Sequence, residues 1–287
     1  MKKVDVVIVG NIAYDVNTFP NRNNGKAKIV VNNGGAGYYS LIPASIYAKV
    51  GIVARIGVDF DINILKHDNI DLKGLKIVDS KTCKFHHTYE SEDGQQRTFK
   101  PEIYDDTLIT ENDIPSEYYG AKYIHIATNF PKRQLEIIEE IRKNSDALIS
   151  IDTHEAYMEN ESKLIRKIFD MVDIAFIDRE FINLLDCKAK IRIIKMGKLG
   201  CKLICGKEEY ISHVKEENVI DKTGAGDVVA GVFLALLSKN MDMKMALDIA
   251  TREATESIKN YGVEHLKEVK NNNIKIKKGF ILWIRLN

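Results

Sequence analysis

The chain has 287 residues, 45% of them apolar and 29% charged, which exceeds the ~100–200 residues of a typical domain and suffices for a large core under a charged surface. With 42 basic against 41 acidic side chains, its net charge of +1 argues against a broad electrostatic grip on nucleic acid or an anionic membrane. No apolar run approaches the ~20 residues that span a bilayer, no signal-peptide pattern opens the sequence, and Cys83, Cys187, Cys201 and Cys205 form no CxxC pair, so a cytoplasmic protein with reduced thiols is the expectation.

Residues 4–9 form an apolar, β-branched run ending at Gly10, the pattern of a buried parallel strand. A short apolar–polar run at 26–31 precedes a helical stretch at 38–48 and a second buried strand at 52–56. Residues 84–90 face 96–100 across Ser91-Glu92-Asp93-Gly94, and Asp-Gly between alternating runs is a hairpin signal. Further strands are predicted at 123–127, 147–151, 174–177, 191–196 and 209–214. Helices are predicted at 131–143, with Pro131 in the first turn, and at 163–169, 225–237 and 243–259. The tail 271–287 is basic and then apolar, which reads as a closing strand. Strands alternating with helices predict a mainly parallel α/β sheet covered on both faces, with ligands at the carboxyl ends of the strands. The run at 26–31 and the hairpin read as a small β-sheet projecting from the main layer, or as an edge decoration without a role. No repeat or linker divides the chain.

The segment that carries chemistry is Asp221-Lys222-Thr223-Gly224-Ala225-Gly226-Asp227, which runs directly into an apolar helix. Gly224, Ala225 and Gly226 let the backbone approach an anion, and the unpaired N–H groups and dipole of the helix start would bind it. Asp227 lies in the first turn beside the same site. A carboxylate there opposes simple phosphate binding. It makes sense as a base that takes a proton from a hydroxyl while the N–H groups hold the charge of a transferring phosphoryl group. The plainer alternative is that Thr223 or Asp227 caps the helix.

This string resembles the second signature of the ribokinase-like (PfkB) carbohydrate kinase family. Gly10-Asn11-Ile12-Ala13-Tyr14-Asp15 looks like the family's substrate-binding strand end. Asn33-Gly34-Gly35-Ala36-Gly37 and Ala54-Arg55-Ile56-Gly57-Val58-Asp59 look like its first signature. The resemblance implies one domain over 1–287, a Rossmann-like three-layer sandwich with a small β-sheet lid from about 12–32 and 84–100. It also implies phosphorylation of a small sugar, polyol or nucleoside from ATP with Mg2+. Asp227 would be the general base, with Gly224, Ala225 and Gly226 as anion hole. Asn11 and Asp15 would hold vicinal hydroxyls, although alone they read as a turn after the first strand. Gly34, Gly35 and Gly37 would bring backbone amides to the substrate. Gly197 and Gly200 would line the nucleotide with Thr223, Asn260 would lie near its base, and Arg97 would reach a substrate or phosphate oxygen unless it is a solvated lid arginine. The partners implied are a small hydroxylated substrate, no nucleic acid and no membrane, in a monomer or a homodimer through the lid.

The sequence departs from that pattern in three places. Tyr38 and Tyr39 stand where an Asn commonly contacts the sugar; they would give the pocket a flat apolar wall, suited to inositols or nucleosides, or would pack under the lid. The family's Asn-x-x-Glu, which organises Mg2+ and the phosphates, is half present: Glu180 remains and Asp178 would replace the Asn. Lys195 stands where Thr is frequent and would meet a phosphate. Other motifs fail. GxxxxGK[ST] is absent, and Gly10-Asn11-Ile12 lacks the second glycine of GxGxxG. Asp152-Thr153-His154-Glu155 and His86-His87 lack metal-ligand spacing, though Asp152 can face the substrate. The competing function is a non-catalytic nucleotide or sugar sensor on the same fold.

Overall fold

A computed structural model of the chain describes residues 3–20, 27–90, 97–181, 186–214 and 218–267, apart from the side chains of residues 97, 155, 156 and 158–160. The run beginning at residue 4 becomes β1 (Val6–Val9), every side chain of which is buried. Its neighbours in the chain are β2 (Ala13–Phe19), β3 (Lys28–Gly34), α1 (Ala36–Ala44), β4 (Val50–Gly57) and β5 (Ile70–Val78). There follow β6 (Lys84–Tyr89), β7 (Arg97–Glu102), β8 (Tyr123–Ile126), α2 (Pro131–Asn144), β9 (Leu148–Ile151), α3 (Glu155–Phe169) and β10 (Ile174–Asp178). The chain continues through β11 (Ile191–Lys195), β12 (Cys201–Cys205), β13 (Glu208–Ser212), α4 (Ala225–Ser238) and α5 (Met243–Ser257).

The larger sheet has nine strands in the order β13-β12-β11-β10-β9-β8-β1-β4-β5. All pairs from β11 to β5 are parallel, and β12 and β13 close one edge in antiparallel fashion. Two-residue alternation gives each buried strand two apolar faces. Val6 and Ile8 of β1 join Ile52, Phe176 and the buried faces of α1, α4 and α5 in one core. Val7 and Val9 join Ile126, Ile151 and the buried faces of α2 and α3 in the other. Each such fully buried Val or Ile contributes about 1.5–3 kcal/mol over an exposed one. This is an α/β three-layer arrangement, and no helix among the described residues is long and apolar enough to cross a membrane.

β1 is flanked by β4 on one side and by β8 on the other. The strand order therefore reverses at β1, and a crevice opens beyond its carboxyl end, at Gly10 and Asn11. A separate four-stranded sheet, β3-β2-β6-β7, pairs β2 antiparallel to β3, β2 parallel to β6 and β6 antiparallel to β7. Alternate β2 residues Ala13, Asp15 and Asn17 are buried. Asp15 and Asn17 thus stand where strand periodicity leads one to expect apolar residues, which is why the strand is not legible as one.

The sequence reading also misses β5 and β12. The helix read at 38–48 runs instead from Ala36 to Ala44, with Pro43 in its last turn. The helix read at 163–169 is the end of the longer α3, whose path is interrupted at Glu161 (φ −125°, ψ 24°). The tail 271–287 and the turn at 91–94 lie outside the described residues.

Candidate active site

Gly224 ends the loop before α4 at φ 78°, a left-handed conformation, and no side chain caps the helix. A Cβ there would lie 2.2 Å from Cγ of Tyr39, so the ring of Tyr39, on α1, supports the loop by direct contact with its backbone. Only glycine satisfies both the dihedral and the contact. Asp227, in the first turn of α4, lies beside this uncapped helix start. The helix dipole favours its anion.

Three further charged groups lie at the carboxyl ends of adjacent strands: Asp152 after β9, Asp178 at the end of β10 and Lys195 at the end of β11. In register, Asp178 pairs with Lys195. The Lys195 ammonium donates to both Asp152 oxygens at 2.8 Å and lies 3.5 Å from Asp178. Burial disfavours the charge on Lys195, but Asp152 and Asp178 beside it hold its pKa above the ordinary lysine value. Burial pushes the Asp152 carboxyl up to about 6, against the pull of Lys195 and with the help of the Asp178 charge. Asp227 is raised well above the usual carboxylate range by burial first, then by Asp152; Lys195 opposes the rise, and Asp15 and Asp178 add to it. Lys195 therefore serves several acids at once.

Lys195→Met is expected to lower stability by about 3–5 kcal/mol, because it strands the buried Asp152 without its counter-charge. A urea titration measures the loss. An unchanged midpoint would contradict the role given to this lysine.

Asp15 projects from β2 towards the last residue of β3: a Cβ on Gly34 would fall 2.3 Å from its Cγ. The hydroxyl of Tyr39 is buried, and its pKa is raised by that burial and by the Asp15 charge. Asn11 and Asp15 line a cleft of about 440 Å³ together with Gly35, Tyr39, Asp152, Asp178, Lys195, Thr223, Gly224, Ala225, Gly226 and Asp227. That volume lies within the ~300–1,000 Å³ of small-molecule sites. Part of the lining is aromatic. Phe85 and His87 of β6 and Phe99 of β7 approach His154 and Tyr157 at the start of α3, with ring centroids 5.2 Å apart for His87 and Phe99 and 5.1 Å for Phe99 and His154. Phe130 packs on Tyr157 at 5.8 Å.

Of the remaining residues singled out in the sequence, none whose side chain is described lines this cleft. Gly34 and Gly37 shape its floor: Gly34 leaves room for Asp15, and the Gly37 N–H donates to the Asn11 carbonyl at 2.9 Å. Gly197 and Gly200 flank a single 3-10 turn beyond β11. Asn260 is exposed, its side-chain oxygen accepting from the Tyr261 N–H. Glu180 is exposed and ion-paired with Arg179 at 3.2 Å. Arg97 pairs with Tyr89 through the strand register, and its side chain lies outside what the structure describes. Tyr38 is wholly buried, its hydroxyl donating to Glu264 at 2.8 Å, so it forms no wall of the cleft. The aromatic wall and the Asp152–Lys195 pair are what the sequence reading lacked. The segments at 85–103, 128–130 and 152–157 meet only through the topology, and the suggestion that Asp152 faces the substrate was the available signal.

A glycine-bounded helix start, a carboxylate in its first turn and a cleft at the switch point of a mainly parallel sheet are the arrangement of a ribokinase-fold kinase. The sequence profile of the pfkB family carbohydrate kinases matches residues 3–270, and the chain belongs to that family. It is 28% identical over 280 residues to a cytidine kinase of Thermococcus kodakarensis, an alignment covering 90% of this chain and 98% of the relative. Its fold superposes on the nucleoside kinase of Methanocaldococcus jannaschii, an archaeal member of the ribokinase family, with a TM-score of 0.73 and 18% identity, over 92% of this chain and 95% of that one. A putative ribokinase II from E. coli in complex with ATP and Mg2+ gives a TM-score of 0.75 at 17% identity, over 94% and 98% of the two chains.

Proposed function

We propose that the chain transfers the γ-phosphoryl group of ATP to a hydroxyl of a nucleoside. The observation that carries this reading is the placement of Asp227 in the first turn of an uncapped helix, on a cleft lined in part by aromatic rings. Flat rings suit a nucleobase better than a bare sugar. The 28% identical relative, whose name is cytidine kinase and which aligns over nearly its whole length, supports the same choice.

In this reading Asn11 and Asp15 hold the ribose hydroxyls and orient the acceptor. Asp227 takes the acceptor's proton as its oxygen bonds to the γ-phosphorus and the bond to the β-phosphate oxygen breaks. The backbone of Gly224, Ala225 and Gly226, with the helix dipole, holds the charge on the phosphoryl oxygens. Lys195 compensates the acids so that all three can serve one site. The chain acts as one unit over 1–287, with β2, β3, β6 and β7 as a lid that keeps water from the phosphoryl group.

Among the described residues no set of three or more His, Cys, Asp or Glu is placed to hold an ion. That suits Mg2+, which is bound mainly through phosphate oxygens and water and needs only one or two carboxylates. Asp178, on the cleft, is the residue that would serve it; exposed Glu180 is not on the cleft. When bound, the ion neutralises charge on the phosphates.

A base must be ionised to act. Because the Asp227 pKa is raised, kcat/KM is expected to fall on acidification at a pH above the ordinary carboxylate range of ~3.5–4.5. Asp152→Asn removes a like charge and frees Lys195 for Asp227, so it should move that acid limb to lower pH. A pH–rate profile that does not move would contradict the coupling.

The function is tested by measuring ATP consumption with a panel of nucleosides, free sugars and inositols. A nucleoside is expected to give the highest kcat/KM by at least about tenfold, the discrimination of ~1.4 kcal/mol that one aromatic stack supplies. A free sugar or inositol as the best acceptor would overturn the nucleoside assignment. ATP bound but consumed with none of them would leave a non-catalytic sensor.

A further inference from the structure

Asp221 precedes the glycine segment and does not line the cleft, yet it is 3% exposed. A buried carboxylate requires donors, and those of Asp221 come from two separate parts of the fold. Its Oδ1 accepts from the Thr223 N–H at 2.9 Å and from the Thr223 hydroxyl at 2.6 Å, which fixes the turn entering Gly224. Its Oδ2 accepts from the side-chain amide of Asn17, on β2 of the small sheet, at 2.8 Å. Tyr89, on β6 of the same sheet, lies 2.5 Å from the Thr223 hydroxyl and 3.4 Å from Oδ1. The single Thr223 hydroxyl hydrogen goes to Asp221, so Tyr89 is the donor in its contact with Thr223. Phe19 of β2 stacks on Tyr89 at 4.9 Å and 3° between ring planes. The N–H groups of Ile220 and Asp221 donate to the Ile258 carbonyl, which anchors the acid to the body of the protein.

We propose that Asp221 is a positioning residue that makes the shape of the phosphate cradle depend on the seating of the four-stranded sheet. The sheet strand that holds Asp15 in the cleft is the strand that supplies Asn17. Asp15 and Asn17 are two apart and share the buried face of β2. An acceptor held by Asp15 therefore steadies the donor of Asp221, and through Thr223 the backbone of 224–226. Acceptor binding and phosphate binding support one another, and the cradle is least ordered when no acceptor is present. The inference rests on the reading of 224–226 as a phosphate site.

The test compares wild type with Asn17→Ala/Tyr89→Phe and with Tyr14→Phe, a control. The control removes a hydrogen bond from the opposite face of β2, to the Asp59 carbonyl, and leaves Asp221 untouched. Hydrogen exchange of the amides at 222–226 and titration with Mg2+ and the non-hydrolysable analogue AMP-PNP are the readouts, with no acceptor required. Losing two hydrogen bonds to the Asp221–Thr223 unit should speed exchange at 224–226 and weaken AMP-PNP by about tenfold. Tyr14→Phe should match wild type in both. Should the double variant unfold, Tyr89→Phe alone decides, with an expected change of about threefold, a single neutral hydrogen bond. Folded variants with wild-type exchange and affinity would overturn the coupling while leaving the kinase reading intact. Failure of wild type to bind AMP-PNP would overturn both. An unsuccessful search for an acceptor, with the exchange difference present, would sink only the proposed reaction.

Discussion

Asp227→Asn is expected to lower kcat by about 10²–10⁴-fold, the usual contribution of a positioned general base, with AMP-PNP affinity retained. The amide keeps the shape of the carboxylate but accepts no proton. Its effect on stability has a definite sign. Burial, Asp152, Asp15 and Asp178 all disfavour the Asp227 anion, so the folded chain holds that proton more tightly than the unfolded one. Stability contributed by the protonated form is lost as pH rises through the raised pKa. A neutral Asn escapes the loss, and the variant should melt at or above the wild-type temperature near neutral pH. Asn caps a helix as well as Asp, so Asp227→Ala completes the test: a structural cap would lose ~1 kcal/mol on that change, whereas a purely catalytic carboxylate would not. A variant with a near wild-type rate would remove the base from the mechanism.

Gly224→Ala is expected to damage both stability and turnover. At φ 78° any side chain is strained, by roughly 1–3 kcal/mol. The new methyl would also lie 2.2 Å from Cγ of the Tyr39 ring, and overpacking of that kind costs about 1–3 kcal/mol more. If the loop carries the proposed cradle, displacement of its backbone by about 1 Å should lower kcat/KM by about a hundredfold. Gly206 supplies the comparison. It too has positive φ, 60°, but nothing lies within 4 Å of its would-be Cβ. Gly206→Ala should lose stability through strain alone and keep full activity. Adding Tyr39→Ala to Gly224→Ala removes the clash but opens a cavity at a buried ring, at a cost of about 3–5 kcal/mol, so neither stability nor rate should recover. Thermal melts and steady-state kinetics of the three variants check these outcomes, and equal activity losses at the two glycines would contradict the assignment of 224 to the site.

The parts of the fold most legible in the sequence are those whose side chains mainly serve the core. β1, β4, β8 and β10 contribute apolar residues to the cores on both sides of the sheet, so their runs stand out. β2 is hidden because its inward positions hold Asp15 and Asn17, which serve the cleft and Asp221 instead of a core. α1 is short and almost wholly buried, and without an exposed polar face it shows no stripe to mark its ends. In the cleft, the residues from 221 to 227 are contiguous and readable as a string. The Asp152–Lys195 pair exists only because β9, β10 and β11 are neighbours, and the aromatic wall only because β6 and β7 fold over α3. Of the two tyrosines that the sequence reading placed on a flat wall, Tyr38 is buried away from the cleft and holds Glu264, whereas Tyr39 lines the cleft and also props the backbone of Gly224. Sequence adjacency shows the proposed phosphate side of the site, while the proposed acceptor side is assembled from distant segments.

The most direct measurement is a structure with ADP, Mg2+, aluminium fluoride and the best acceptor from the panel, which mimics the phosphoryl group midway through transfer. The fluoride atoms are expected against the amides of 224–226, with an Asp227 oxygen within ~2.6–3.2 Å of the acceptor hydroxyl and the nucleobase against Phe99 and His154. Metal fluoride bound away from that helix start, or a hydroxyl placed beyond the reach of Asp227, would contradict the mechanism.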